Sequence, residues 1–289
     1  MVSGVQPQPE RKRGRSRGVV LALPAAFWLF FFFVVPLVIV FVVSFLTRGR
    51  GGVGQLPFTL ENYERVFDVF LGVIQSSVWM ALLTTAVCLL IGYPLAFFIA
   101  TRQRQWARTL ALFLVILPFW TNFLVRTYAL QTILGREGII NSVLLRIGFA
   151  DSLQLLNTPE AVLLGLVYGF LPFMVLPIYA SVERFDFRFV EAANDLGAND
   201  LRTFIRVVFP LTLPGVIAGS ILVFIPTIGA FVTPDLLGGT RGIMIGNLIN
   251  DQFKGSGNQP LGSALSIVIM AMVMLALLVY VRFGDRGDD

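Results

Sequence analysis

The chain reads as long apolar runs separated by short polar stretches. Six of the runs, at about Val19–Leu46, Val78–Ala100, Thr109–Leu130, Ala161–Val182, Leu211–Thr233 and Leu261–Val281, are long enough to cross a bilayer. A run of about 20 apolar residues spans the hydrocarbon as a helix, because backbone N–H and C=O groups find no water there and must pair within the segment. The pattern therefore predicts an all-α integral membrane protein with six transmembrane helices. The first run follows RKRGRSR, but it is longer than the roughly 7 to 15 apolar residues of a secretory signal, so a retained anchor is expected.

Composition agrees with the pattern. Of 289 residues, 56% are hydrophobic and 13% charged, where soluble domains carry about a quarter charged residues. There is no histidine and one cysteine, Cys88, which removes histidine general bases, Cys/His metal sites and an internal disulfide. Cys88 lies in an apolar run and reads as packing.

Charge sets the expected orientation. If the N-terminus is cytoplasmic, that side receives fourteen of the 22 Lys and Arg: five in the tail, then Arg102, Arg104, Arg108, Arg184, Arg188, Arg202, Arg206, Arg282 and Arg286. Seven fall on the other side and Arg126 alone lies within a span. The excess of basic residues on one side predicts a multi-pass chain with both termini in the cytoplasm. The division expected is a basic tail over 1–18, a transmembrane domain over 19–281 with a cytoplasmic loop at 183–210, and a short tail over 282–289. The basic cluster before the first span suits anionic lipid better than nucleic acid.

The loop gathers unusual residues. EAANDLGANDLRTFIRVVFPLTLPG, at 191–215, reads as two short helices: Asp186 caps the first, Gly197 supplies the positive φ that ends it, Asn199 or Asp200 caps the second, and Pro210 closes the segment at the membrane. Leu201, Phe204, Ile205 and Val208 form a stripe expected to pack on the protein's own spans. Glu191 and Asp195 are like charges at i, i+4, a pairing that a helix built only for its own stability would avoid.

Glu191, Ala192, Ala193, three residues, Gly197, nine residues, then Val207, Phe209 and Pro210 resemble the EAA loop of ABC importer permeases, E-A-A-x3-G-x9-I-x-L-P. Val207 and Phe209 replace the usual Ile and Leu. In that family the loop is a coupling helix that docks in a groove of a separate ATPase subunit, so the resemblance implies a type I ABC importer permease fold. It also assigns ATPase coupling to Glu191, Ala192, Ala193, Asp195, Gly197 and Pro210. The chain has no G-x-x-x-x-G-K-[ST] phosphate loop and only two lysines, Lys12 and Lys254. ATP and Mg are thus expected on the partner, with no cofactor and no catalytic residue on this chain.

PFWTNFLVRTYAL at 118–130, LLGLVYGFLPFMVLPIYASVE at 163–183 and VTPDLLGGTRGIMIGNLINDQF at 232–253 resemble the spermidine/putrescine permease subfamily, and within it the first of two homologous permease chains. That resemblance implies a second permease, two ATPase subunits, an extracytoplasmic solute-binding protein and a polyamine as substrate. Asp186-Phe187 departs from the Asp-Pro that family often has ahead of the EAA helix.

A polycation needs carboxylates, aromatic faces or carbonyl oxygens along its path. None of the six runs holds an Asp or Glu, so the candidates are Trp120, Asn122, Arg126, Tyr128 and Asp235, and another small organic solute stays open as the alternative. Arg126 either snorkels, pairs with a carboxylate such as Asp235, or contacts ligand; Asn122, one turn earlier, is expected to share its face. Pro172, Pro177 and Pro226 either free carbonyls and permit bending or make static kinks, and Gly215 and Gly219 form a G-x-x-x-G for close helix approach. Acid-free spans without histidine argue against a membrane-embedded enzyme, and a passive channel would not need a docking loop.

Overall fold

A computed structural model describes residues 23–147 and 153–284. The basic tail, the 148–152 segment and most of the short C-terminal tail lie outside the described residues. Five helices are long and apolar enough to span: α1 (Leu23–Val43), α3 (Leu71–Ala100), α7 (Pro159–Glu183), α9 (Asp200–Ile228) and α12 (Gln259–Gly284), whose qualifying stretch is Gln259–Leu278. A bent pair, Gln105–Trp120 followed by Phe123–Ile147 at 93°, has the length and apolar character of a sixth when its two halves are taken as one span. Between α1 and α3 lie a short antiparallel hairpin, β1 (Leu46–Arg48) and β2 (Gly54–Phe58), and helix α2 (Glu61–Val69), so the all-α expectation has one small exception.

The predicted continuous third span is corrected. Helix α4 (Gln105–Ile116) tightens into a 3-10 turn at Leu117–Trp120, and Thr121 and Asn122 are extended before α5 (Phe123–Leu134) starts in a new direction. Pro118 cannot donate a helical hydrogen bond. Asn122 then serves as N-cap, its side chain accepting from the Leu124 N–H at 2.8 Å. Pro118 with Thr121-Asn122 three residues on was the signal for this break, and the uninterrupted hydropathy concealed it. Helix α6 (Ile139–Ile147) follows α5.

Helices α3, α7 and α9 form the central core, around Cys88, Tyr93, Met174, Val175, Ile178, Val216 and Val223. In lipid there is no hydrophobic drive between helices, so close fit and polar links hold them together. Gly215 and Gly219 supply the fit. A Cβ on Gly215 would lie 2.7 Å from the Pro177 carbonyl oxygen, and one on Gly219 would lie 3.1 Å from that of Met174. Tyr93 and Thr212 supply a link between buried hydroxyls 2.8 Å apart, of a kind worth about 0.6 kcal/mol. Helix α7 stays continuous through Pro172 and Pro177.

A second core joins α2, α3, α9 and α12 with helix α11 (Ile245–Lys254) at the opposite end from the 183–210 loop. The Ser77 hydroxyl there accepts from the Ile245 N–H at 2.8 Å. Helix α10 (Val232–Leu237) packs on α5 and α7. Span five ends at Ile228, before the predicted Thr233, because Gly229 closes α9 and Thr233 belongs to α10.

Candidate functional site

Two arginine contacts frame the site at its base. Arg108 in α4 ion-pairs with Glu183 at the end of α7 and also donates to the Tyr179 hydroxyl, its guanidinium 5.1 Å from that ring's centre. The chain then turns into the loop. The Asp186 carboxylate accepts from the Arg188 N–H at 3.0 Å, and Phe187 sits edge-on to Phe97 of α3, with centroids 6.5 Å apart. The base of the loop is thereby tied to α3, α4 and α7.

Helix α8 (Arg188–Asp195) has no buried residue. Glu191, Ala192 and Asp195 are exposed and Ala193 is half-buried. Gly197, at φ 80°, ends the helix: its N–H reaches the Asn194 carbonyl at 2.9 Å and the Ala198 N–H reaches that of Ala193 at 3.0 Å. This is the pairing by which a left-handed residue satisfies the last carbonyls of a helix. A Cβ on Gly197 would meet nothing, so the glycine is required by its dihedral alone. Asn199 caps the next helix by accepting from the Arg202 N–H at 2.9 Å, and Thr203 donates to the Asn194 side chain at 3.2 Å, joining the two helices.

Two expectations for this segment are overturned. Pro210 does not close it, because α9 runs without interruption from Asp200 to Ile228. A π turn at Phe204–Val208, with the Phe209 N–H bonded to the Phe204 carbonyl, immediately precedes the proline. Such a turn absorbs the missing donor by widening the helix. The widening also rotates the predicted stripe: Phe204 and Val208 pack inward, whereas Leu201 is 67% and Ile205 57% exposed. Leu196, which sequence reasoning did not single out, is 89% exposed. The loop thus offers apolar side chains to something outside this chain.

The candidates near the break are placed differently from expectation. Asn122 is the cap of α5 and not part of a polar stripe with Arg126. Arg126 makes no ion pair with Asp235, which is exposed on α10; among the described residues the ion pair present is Arg108–Glu183. The Arg126 guanidinium instead sits 5.7 Å from the ring centres of Phe119 and Phe123 and 5.9 Å from that of Tyr168. Its Nε and Nη1 are buried without a hydrogen-bond partner. Three rings, each worth about 0.5 to 2 kcal/mol to a cation, offset part of that cost, and they come from both arms of the bend and from α7. Trp120 is 76% and Tyr128 54% exposed. Arg108 and Glu183 went unpaired in the sequence reading because nothing local links them.

Comparison with known proteins follows the same line. Residues 92–286 match the family described as binding-protein-dependent transport system inner membrane component. The chain is 46% identical over 257 residues to the spermidine/putrescine transport system permease protein PotB of Haemophilus influenzae, covering 88% of this chain and 90% of that protein. It is 45% identical to the PotB of Escherichia coli K12, with 88% and 93% covered. It is 31% identical to the inner membrane ABC transporter permease protein YdcU of the same organism, over 78% of this chain and 76% of that one. Among solved structures, a chain of a bacterial ABC transporter involved in the import of the acidic polysaccharide alginate superposes with a TM-score of 0.76 at 17% identity, covering 94% of this chain and 96% of that one. At that identity the likeness is one of fold.

Proposed function

This chain belongs to the binding-protein-dependent inner membrane transport components, and from that membership we propose that it is a permease subunit of an ATP-driven importer of polyamines. Spermidine and putrescine are the solutes named for its PotB relatives, at 45 to 46% identity over 88% of the chain, and this observation carries the assignment. We assign it to the first of the two homologous permeases, working with a second permease, two ATPase subunits that bind ATP and Mg, and an extracytoplasmic solute-binding protein. It is multi-pass in the inner membrane, with both termini and the 183–210 loop in the cytoplasm; the 1–18 and 282–289 segments are its tails.

The residues of this chain divide the work. Helix α8 presents Glu191, Ala192 and Asp195 to the ATPase, and Gly197 with the Thr203–Asn194 link holds that helix rigidly against α9. Movement of the docked loop passes into α7 and α9, which are locked face to face at Gly215 and Gly219. The cavity then alternates between the two sides of the membrane. Trp120, Tyr128 and Asp235 supply this chain's aromatic and anionic contacts to a polycation, and Arg126 is a structural cation of the bend, held among rings.

ATP-driven uptake of labelled spermidine and putrescine by the complex in vesicles, with the binding protein supplied, tests this reading. Uptake of either should stop without ATP and fall with competing polyamine. Flux that persists without the ATPase, or that ignores polyamine competitors, would overturn it.

A further inference from the structure

The turn between α3 and α4 carries a cluster that the transport reading does not use. Thr101, Arg102, Gln103, Arg104 and Trp106 line a mixed polar and apolar pocket of about 680 Å3, which Phe98 and Ala111 complete. Phe98 and Ala111 also belong to an apolar groove of about 340 Å3 running between α3, α4 and α7, where Leu95, Leu114 and Leu171 form walls. A basic cup thus opens into a greasy trough, and two shared residues join them.

The charges in the cup lack anions. The Arg102 guanidinium lies over the Phe98 ring at 3.8 Å, and among the described residues neither Arg102 nor Arg104 takes part in an ion pair. Glu183, the carboxylate that α7 brings to α4, is taken by Arg108. That same contact puts the turn at the end of the bundle where the coupling loop emerges. Trp106 is 66% and Phe98 52% exposed, an arrangement of aromatic and basic side chains characteristic of the boundary between headgroups and acyl chains.

We propose that this cup and groove bind one anionic phospholipid, with its phosphate on Arg102 and Arg104, its glycerol region against Trp106 and an acyl chain in the groove beside Phe98. The inference rests on the reading that the coupling loop faces the cytoplasmic leaflet. A free phosphate would satisfy the arginines but would leave the groove unfilled, so the amphiphile is the occupant that fits both parts.

Native mass spectrometry of the intact complex, titrated with phosphatidylglycerol or phosphatidylcholine, tests the site. Phosphatidylglycerol should bind in preference, and Arg102→Gln with Arg104→Gln should weaken it about thirtyfold, about fivefold per charge, while Arg146→Gln on α6 leaves it unchanged. Brominated phosphatidylglycerol should quench tryptophan emission more than brominated phosphatidylcholine, a difference that Trp106→Phe removes. Equal retention by the double variant, indifference to headgroup, or displacement of the lipid by millimolar inorganic phosphate would each overturn the proposal. Co-purification of the ATPase is scored in the same samples. Its loss in the double variant with lipid counts unchanged would make the patch an ATPase contact and sink the lipid site. Its absence from the wild-type complex would count against the coupling reading, leaving the lipid measurement to stand by itself.

Discussion

Arg108, in the first turn of α4, is ion-paired with Glu183, the last residue of α7, and the turn into α8 begins three residues later, where the Asp186 carboxylate accepts from the Arg188 N–H. The side chains are 27% and 43% exposed, so solvent screens the pair and its share of stability is about 0.2 to 1 kcal/mol. Its consequence is positional: it ties the last residue of α7 to α4 at the point where the loop begins. Arg108→Glu and Glu183→Arg should each lower ATP-driven uptake severalfold with little change in the thermal midpoint, and the charge-swapped double variant should recover most of the rate. A double variant no better than either single one would show that the pair does not position the loop.

Gly197 tests the coupling helix. Alanine there has room for its Cβ but must hold a positive φ, at a cost of about 1 to 2 kcal/mol, and Gly197→Asp adds a third negative charge beside Glu191 and Asp195. Both variants should insert normally, with reduced co-purification of the ATPase for Gly197→Ala and none for Gly197→Asp. Glu191→Arg should behave like the aspartate variant, and normal uptake in either charge variant removes coupling from this helix.

Gly215 and Gly219 test the core. Gly219→Val would drive side-chain atoms into the Met174 backbone, and Gly215→Val into Pro177 and Ser181. Overpacking of this kind costs about 1 to 3 kcal/mol. Thermal unfolding in detergent should begin at clearly lower temperature for both, and an unchanged midpoint would mean that α7 and α9 can slide apart freely.

Arg126 separates a structural cation from a ligand contact. Lysine retains a charge for the Phe119, Phe123 and Tyr168 rings, whereas glutamine does not. Arg126→Lys should keep stability and uptake within about twofold, and Arg126→Gln should lose both. If glutamine instead kept stability while changing the apparent affinity for spermidine, the residue would belong to the substrate path.

Asp235 is exposed on α10 and bound to no cation of this chain among the described residues. Asp235→Asn should weaken apparent affinity for spermidine by about three- to tenfold, with a smaller effect on the shorter putrescine. Unchanged affinity and rate for both would remove it from the path.

What the sequence by itself determined was local. Apolar runs of bilayer length gave five of the spans as continuous helices, because an unpaired backbone cannot exist in hydrocarbon, but hid the break in the third. Asn199 and Gly197 gave caps of the loop and Asp186 a turn one residue ahead of the cap position, because each acts on backbone groups within a few residues of itself. The glycine spacing on α9 announced a close contact without naming the helix opposite. Tertiary structure alone decided that α7 lies there, that Arg108 finds Glu183, that Arg126 is enclosed by rings from three segments instead of pairing with Asp235, and that Leu201, before the π turn, and Ile205, within it, turn outward. Every apolar face of a membrane helix is equally content with lipid, so hydropathy cannot choose between neighbours. That choice is made by shape and by the few polar groups that must find one another, and these depend on all the helices being in place.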